Sequence, residues 1–190
     1  MSLGSDFICV VQLTDSHLFA DAEGDLLGLQ TQASLDAVVD MVLEQISRMD
    51  LVLATGDITQ DGSEAAYRRF IASSLRLPAP CYWIPGNHDD AELMARLGKP
   101  LGLTRDWVDI GNWRIVLLDS SILGAVPGHL SATTLSSLDD ALATAGDRHV
   151  LVCLHHQPVS IGSDWMEPIG LLNAADLLTR LEPDSRVKAV

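Results

Sequence analysis

With 26 Asp and Glu against 12 Lys and Arg, the 190-residue chain carries a formal charge of −14. That balance disfavours nucleic acid or an anionic membrane as a general partner, since both are bound through basic patches. It leaves room for a small phosphate substrate, because bound divalent metals reverse the local field. The length and the 47% hydrophobic content suit a single core-forming domain over residues 1–190 rather than disorder. Three cysteines, Cys9, Cys81 and Cys153, sit in apolar runs without close spacing. They read as buried, reduced thiols of a cytoplasmic protein, not as a disulfide framework or a zinc knuckle. Residues Met1–Asp6 carry neither a basic n-region nor a long apolar h-region. No apolar run approaches the ~20 residues of a membrane span.

In chain order, Phe7–Leu13 reads as a central strand, followed by Asp15-Ser16-His17 and a Gly-containing loop over 18–30. Thr31–Met49 is the clearest helix, with Leu35, Val38, Val39, Val42, Ile46 and Met49 on one stripe opposite Asp36, Asp40 and Glu44. Leu51–Ala54 is a second strand, and Ser63 is placed to cap a helix running to Leu75. A third strand, Cys81–Ile84, leads into Gly86-Asn87-His88-Asp89. A short helix over Asp90–Leu97 follows, for which Asp89 or Asp90 reads as a cap. Trp107–Ile110 and Trp113–Leu118 flank the turn signal Gly111-Asn112 and predict an antiparallel pair. A helix over Ser131–Thr144, a strand over Val150–Leu154, a helix near Asn173–Leu181 and a strand beginning at Val187 complete the pattern. Alternating strands and helices predict an α/β layered fold.

Four apolar runs end abruptly in metal-binding side chains: Asp15 and His17, Asp57, Asn87 and His88, and His155-His156. In open α/β sheets, sites form outside the carboxyl ends of the strands. Asp15 and His17 are two apart, and in an extended segment both would point to one side. Asp57 has two carboxylate oxygens and can bridge two ions, while Asn87 offers a neutral carbonyl and His155 an imidazole. Oxygen and imidazole donors without thiolate suit manganese, iron or zinc. Two ions about 3.5–4 Å apart can clamp a phosphoryl group and generate hydroxide at neutral pH. His129 and His149 read as surface or loop residues and Asp119 as a turn carboxylate. The four tryptophans read as packing groups, with Trp165 placed to border the pocket.

Thr14-Asp15-Ser16-His17, Gly56-Asp57, Gly86-Asn87-His88-Asp89 and His155-His156-Gln157-Pro158 resemble the motifs of the calcineurin-like metallophosphoesterases. With Leu18-Phe19, Ile58–Asp61, Ala79-Pro80, Leu117–Ser120 and Pro127–Ser131, the chain is similar to the bacterial class III 3′,5′-cyclic AMP phosphodiesterases. The resemblance implies a four-layer αββα sandwich with two divalent ions, iron or manganese first and zinc as the alternative. Asp15, His17 and Asp57 would hold one ion, and Asp57, Asn87 and His155 the other, with His156 behind His155. His17, Asn87 and His88 would contact substrate. A metal-bridging hydroxide would attack phosphorus while His88 acts as general acid on the leaving 3′-oxygen, giving 5′-AMP. Other phosphomonoesters or phosphodiesters, or a non-catalytic scaffold of the same fold, are the alternatives.

The family closes its site with Gly-His-x-His after the next strand, and no such motif occurs in these 190 residues. The expectation is a domain truncated before its C-terminal strands, weak in metal binding and impaired in activity. The apolar strand at Val187–Val190 would then be an open edge on which a homodimer could form.

Overall fold

The computed structural model describes residues 7–190; Met1–Asp6, read above as lacking a leader signature, lie outside them. Two sheets lie at the centre. The first is parallel, in the order β1 (Val10–Leu13), β4 (Leu51–Ala54), β5 (Cys81–Trp83). The second has the order β6 (Trp107–Ile110), β7 (Trp113–Leu117), β8 (His149–Cys153), β9 (Val187–Ala189); β6 runs antiparallel to β7 and the rest are parallel. A two-residue hairpin, β2 (Asp25–Leu26) and β3 (Leu29–Gln30), stands apart.

Each parallel connection runs through a helix. The first sheet is crossed by α1 (Thr31–Gln45) and α2 (Glu64–Ser74), and α3 (Ala91–Gly98) follows β5. The second is crossed by α4 (Ala132–Ala143) and α5 (Ala174–Leu181). Alternation along the strands sorts the side chains into three apolar layers. Val52, Ala54 and Trp83 meet Val39, Tyr67 and Phe70 of the first helices. Val116, Val150 and Val152 meet Leu138 and Leu177 of the later ones. Between the sheets, Leu51, Leu53 and Ile84 pack on Ile115 and Leu117. The result is the four-layer α/β/β/α arrangement. A strand buried on both faces reads as a continuous apolar run, and for this reason β4 is legible at its stated bounds.

Local chemistry sets the element ends. Ser63, Asp90 and Ser131 each accept the backbone N–H three residues on and cap α2, α3 and α4. The helix expected to run to Met49 stops at Gln45, where Ile46 turns extended (φ −103, ψ 99). Met49 stays buried without being helical. Asp50 then ties the two strand starts together: its carboxylate accepts the Cys9 N–H at 2.9 Å and its own N–H donates to the Cys9 carbonyl at 2.9 Å. The loop expected over 18–30 contains the β2–β3 hairpin, closed by Leu27 and Gly28, both at positive φ (53 and 87). The expected antiparallel pair is present, with Trp107 opposite Val116 and Ile110 opposite Trp113. The three cysteines are unpaired and half-buried rather than fully buried.

The β6–β7 pair carries a buried cation. Arg114 is held in a fork by Asp109, at 2.7 and 2.8 Å, and donates to the Ala141 carbonyl at 2.8 Å and Thr144 Oγ1 at 2.7 Å. The guanidinium beside Asp109 holds that carboxyl below the usual carboxylate range. A carboxyl lowered in the folded state contributes stability above its unfolded pKa, and that stability is lost as pH falls through the folded value. Asp109→Asn is therefore expected to cost about 1–2 kcal/mol at pH 7, a buried-pair loss discounted for the solvent access of the carboxylate. In urea unfolding, the gap between the two proteins should close as pH falls below about 4. A gap unchanged at pH 3 would assign the loss to packing instead of charge.

Candidate metal centre

Three strands of the first sheet and one of the second deliver the predicted residues to one cleft. Asp15 and His17 follow β1, Asp57 follows β4, Asn87 and His88 follow β5, and His155 follows β8. All six line a cavity of about 390 Å³, which Val126, Trp165, Met166 and Ile169 also line.

Asp15 and His17 do not sit in extended backbone, which corrects the reading by which i and i+2 share a side. Both are left-handed, at φ 54 and 44, as is Asp57 at φ 48. Each such conformation costs of order 1–3 kcal/mol in a residue other than glycine. Backbone pairing between the two loops holds it in place. Asp15 N–H donates to Gly56 O at 3.1 Å, His17 N–H to Asp57 O at 3.0 Å, and Leu18 N–H to Ile58 O at 3.0 Å. Left-handed backbone turns the side chains of both loops toward the same cleft.

Asp57 is the centre, with only 5% of its surface exposed. Its Oδ2 lies 3.7 Å from His17 Nε2 and 3.5 Å from His155 Nε2, and its Oδ1 accepts the His88 N–H at 3.0 Å. Asp15 Oδ1 is 3.7 Å from the same His17 nitrogen. Donor atoms of His17, Asp57 and His88 lie within 4.8 Å of one another, and so do those of Asp15, Asp57 and His155. Two glycines make the crowding possible. A Cβ at Gly86 would stand 2.1 Å from Asp57 Oδ1 and 2.4 Å from its backbone nitrogen, and one at Gly56 would stand 2.4 Å from His155 Nδ1.

The electrostatics follow from this packing. The facing His17 imidazole, 3.7 Å away, holds the Asp15 carboxyl low and is itself raised by Asp15, against the pull of burial. Burial pushes the Asp57 carboxyl up, but His155, the His88 N–H and the facing imidazoles outweigh it and leave it low. Burial likewise disfavours charge on His155, yet Asp57 raises it overall. The cluster is thus a negative hub that attracts positive charge, as protons or as a metal ion.

The donor set fits a divalent metal. His17 Nε2 faces Asp15 Oδ1 and Asp57 Oδ2 at 3.7 Å each, beyond hydrogen-bond reach and so open to a ligand between them. His155 Nδ1 is 3.0 Å from the Thr55 carbonyl. A carbonyl only accepts, so the proton sits on Nδ1 and Nε2 is free as a ligand, an arrangement common to metal-binding histidines. His156 differs: buried, with Nδ1 2.8 Å from Ser120 Oγ and Nε2 3.0 Å from the Val126 carbonyl, it has no free nitrogen. Burial lowers its pKa. Of the two adjacent histidines, His155 is the one at the cluster.

A family description, calcineurin-like phosphoesterase, matches residues 9–190. The chain belongs to this family. Calcineurin-like phosphoesterases are metal-dependent hydrolases, and the chain is an enzyme of that class. It is 50% identical over 183 residues, 96% of its length, to the 3′,5′-cyclic adenosine monophosphate phosphodiesterase CpdA of Pseudomonas aeruginosa, of which it covers 67%. Identity to the protein of the same name from Escherichia coli K12 is 40% over 187 residues, 97% of this chain and 68% of that one. The fold is shared with purple acid phosphatase PPD1 from yellow lupin seeds, at a TM-score of 0.55 and 16% identity over 85% of this chain and 34% of that one.

One residue behind the cleft departs from its sequence reading. Asp89 is not a helix cap. Its carboxylate receives the N–H groups of Ile58 (3.1 Å), Thr59 (3.0 Å) and Gly86 (2.9 Å), with the hydroxyls of Thr59 (3.2 Å) and Tyr67 (3.0 Å). It therefore clamps the loop bearing Asp57 to the loop bearing Asn87 and His88. Burial pushes its carboxyl up despite these donors, and burial with the Asp89 charge pushes the Tyr67 hydroxyl up as well. The available signal was the Asp89-Asp90 pair before one helix, since a helix needs only one cap. Asp90 takes that role, accepting the Leu93 N–H at 2.9 Å.

Proposed function

We propose that the chain is a metal-dependent phosphodiesterase hydrolysing 3′,5′-cyclic AMP to 5′-AMP at a dinuclear site. What carries the reading is the convergence of Asp15, His17, Asn87, His88 and His155 on the buried Asp57, in a chain half identical to a protein named for that activity. Asp15, His17 and Asp57 hold one ion; Asp57, Asn87 and His155 hold the second, with iron or manganese the best match to oxygen and imidazole donors. When bound, the ions supply Lewis acidity toward the phosphoryl oxygens and an activated water at neutral pH.

The side chains divide the remaining work. His17 and Asn87 line the position of the phosphoryl group and orient it. His88 Nδ1 faces the Gln60 carbonyl at 3.3 Å, which fixes a proton there and leaves Nε2 to carry the mobile one. Hydrolysis breaks the bond from phosphorus to the 3′-oxygen and makes one to a water oxygen. His88 delivers a proton to the departing oxygen and is reprotonated from solvent, while the entering water gives up its proton to solvent. None of the described helices is long and apolar enough to cross a membrane. Cys9, Cys81 and Cys153 are unpaired, which suits the reducing cytoplasm we assign to the protein.

The test is product analysis with added Mn²⁺. The expected result is 5′-AMP as the product, with turnover abolished by chelation. Turnover of p-nitrophenyl phosphate or its bis-ester without turnover of cyclic AMP would move the substrate to another phosphoester. No turnover of any of the three would replace the enzyme with a binding scaffold.

A further inference from the structure

The lining of the cleft includes a side chain that the chemistry above does not use. Trp165 lines the same cavity as Asp57 and His88, yet 77% of its surface is exposed. The other three tryptophans have packing partners: Trp83 is buried against Tyr67 and Phe70, Trp107 lies under the Arg114 guanidinium, and Trp113 meets His149. An indole left this open loses the burial that usually stabilises it. Met166, Ile169 and Val126 add apolar lining to the same cavity.

The loop that presents Trp165 is braced. Gln157 Nε2 donates to the Met166 carbonyl at 2.7 Å, and the Gln157 carbonyl accepts the Leu171 N–H at 3.0 Å. The Glu167 carboxylate gathers Ser160 Oγ (2.7 Å) and the N–H groups of Ile161 (3.0 Å) and Gly162 (3.1 Å). These ties hold the backbone on both sides of the indole without covering it, as a preorganised contact surface requires.

We infer that Trp165 is the stacking platform for the nucleobase of the substrate. The inference rests on the phosphodiesterase reading and extends it from the phosphate to the base. The same cavity gathers groups suited to a phosphoryl group and a largely exposed aromatic side chain next to a polarizable thioether. A nucleotide has this pairing of an anionic end and a planar end. The cavity volume of about 390 Å³ falls in the range of small-molecule sites. Stacking tolerates any base, so Trp165 favours nucleotides over simple phosphoesters without itself selecting adenine.

Calorimetric titration with Mn²⁺ present, using 5′-AMP and ribose 5-phosphate as probes, tests the inference. Trp165→Ala, at an exposed position, is expected to weaken 5′-AMP by roughly tenfold or more while leaving ribose 5-phosphate within about twofold, and Trp165→Phe should restore most of the loss. In the wild type minus W165F difference, 5′-AMP should quench indole emission. Equal losses for both probes would make Trp165 a prop for its loop, and no loss would remove it from recognition; either overturns the inference. A shift in oligomeric state with unchanged 5′-AMP affinity would assign the indole to a contact between copies and overturn it too. Binding of neither probe to the wild type would bring down the phosphodiesterase reading and the stacking role together, a pattern distinct from the others.

Discussion

Asp57→Asn is expected to abolish binding of both metal ions and to lower cyclic AMP hydrolysis by about a thousandfold or more, an effect far larger than its cost to the metal-free fold. The asymmetry follows from the position of the carboxylate. Asp57 lies within 3.7 Å of His17 Nε2 and within 3.5 Å of His155 Nε2. Its negative charge is therefore shared by both proposed ion positions. The amide keeps one oxygen, but it loses the charge that offsets dehydration of a divalent ion and cannot bridge two. Asparagine accepts left-handed backbone readily, so φ 48 at this position is tolerated, and the oxygen facing the His88 N–H is retained.

The measurement is thermal unfolding with and without Mn²⁺. A ligand that binds only the folded state raises the midpoint in proportion to the logarithm of its concentration over Kd. The wild type should show that rise and Asp57→Asn should not, while in chelator the variant unfolds only somewhat lower, by the loss of the charge that His155 and His17 hold. A retained rise of the same size would mean that the ions sit elsewhere, and the bridging assignment would fail. A midpoint that falls steeply in chelator would mean that the carboxylate is needed for folding itself, through its contacts with His88 and His155.

How far this arrangement could be read from residues depends on which physical signal each part leaves. Leu51–Ala54 is apolar throughout because it is buried on both faces, and the strand is found at its stated bounds. The end of α1 was overrun because Ile46 and Met49 continue the helical stripe although the backbone has turned away. Periodicity records which side chains are buried, not whether the chain between them is still helical. The hairpin at 25–30 was missed because Leu27 occupies a left-handed turn position where Asn or Gly is the usual signature. Its side chain is fully exposed, so burial left no trace either. The convergence of Asp15, His17, Asp57, Asn87, His88 and His155 was legible because each follows an apolar run. How Asp15 and His17 converge was not, since Asp and His tolerate left-handed backbone without requiring it. Of the adjacent histidines, His155 is favoured from sequence as the first past the strand, but the contacts that occupy His156, to Ser120 and Val126, are 36 and 30 residues away in sequence and leave no local trace.

Asp89 and Asp90 give the sharpest contrast, because neighbouring residues of one type are assigned opposite work. Asp90→Ala removes a helix cap and should cost about 1 kcal/mol, with metal affinity unchanged. Asp89→Ala strands three backbone N–H groups and two hydroxyls in a buried space. Water can re-satisfy part of that set, so the expected loss is about 2–4 kcal/mol rather than the full cost of every donor. The same carboxylate fixes the spacing between the Asp57 loop and the Asn87–His88 loop. Its loss should therefore weaken metal binding by about 10- to 100-fold, the range found when groups behind metal ligands are removed. Chemical unfolding in chelator measures the first effect and Mn²⁺ titration at a temperature where both variants stay folded measures the second. If Asp89→Ala lost stability but bound metal as the wild type does, the clamp would be structural alone. Loop spacing would then be held by the His88 N–H bond to Asp57 Oδ1 and by the Ile84 N–H bond to the Ala54 carbonyl. If Asp90→Ala also lost metal affinity, the two aspartates would act through α3 as one unit, and the separation of cap from clamp would be wrong.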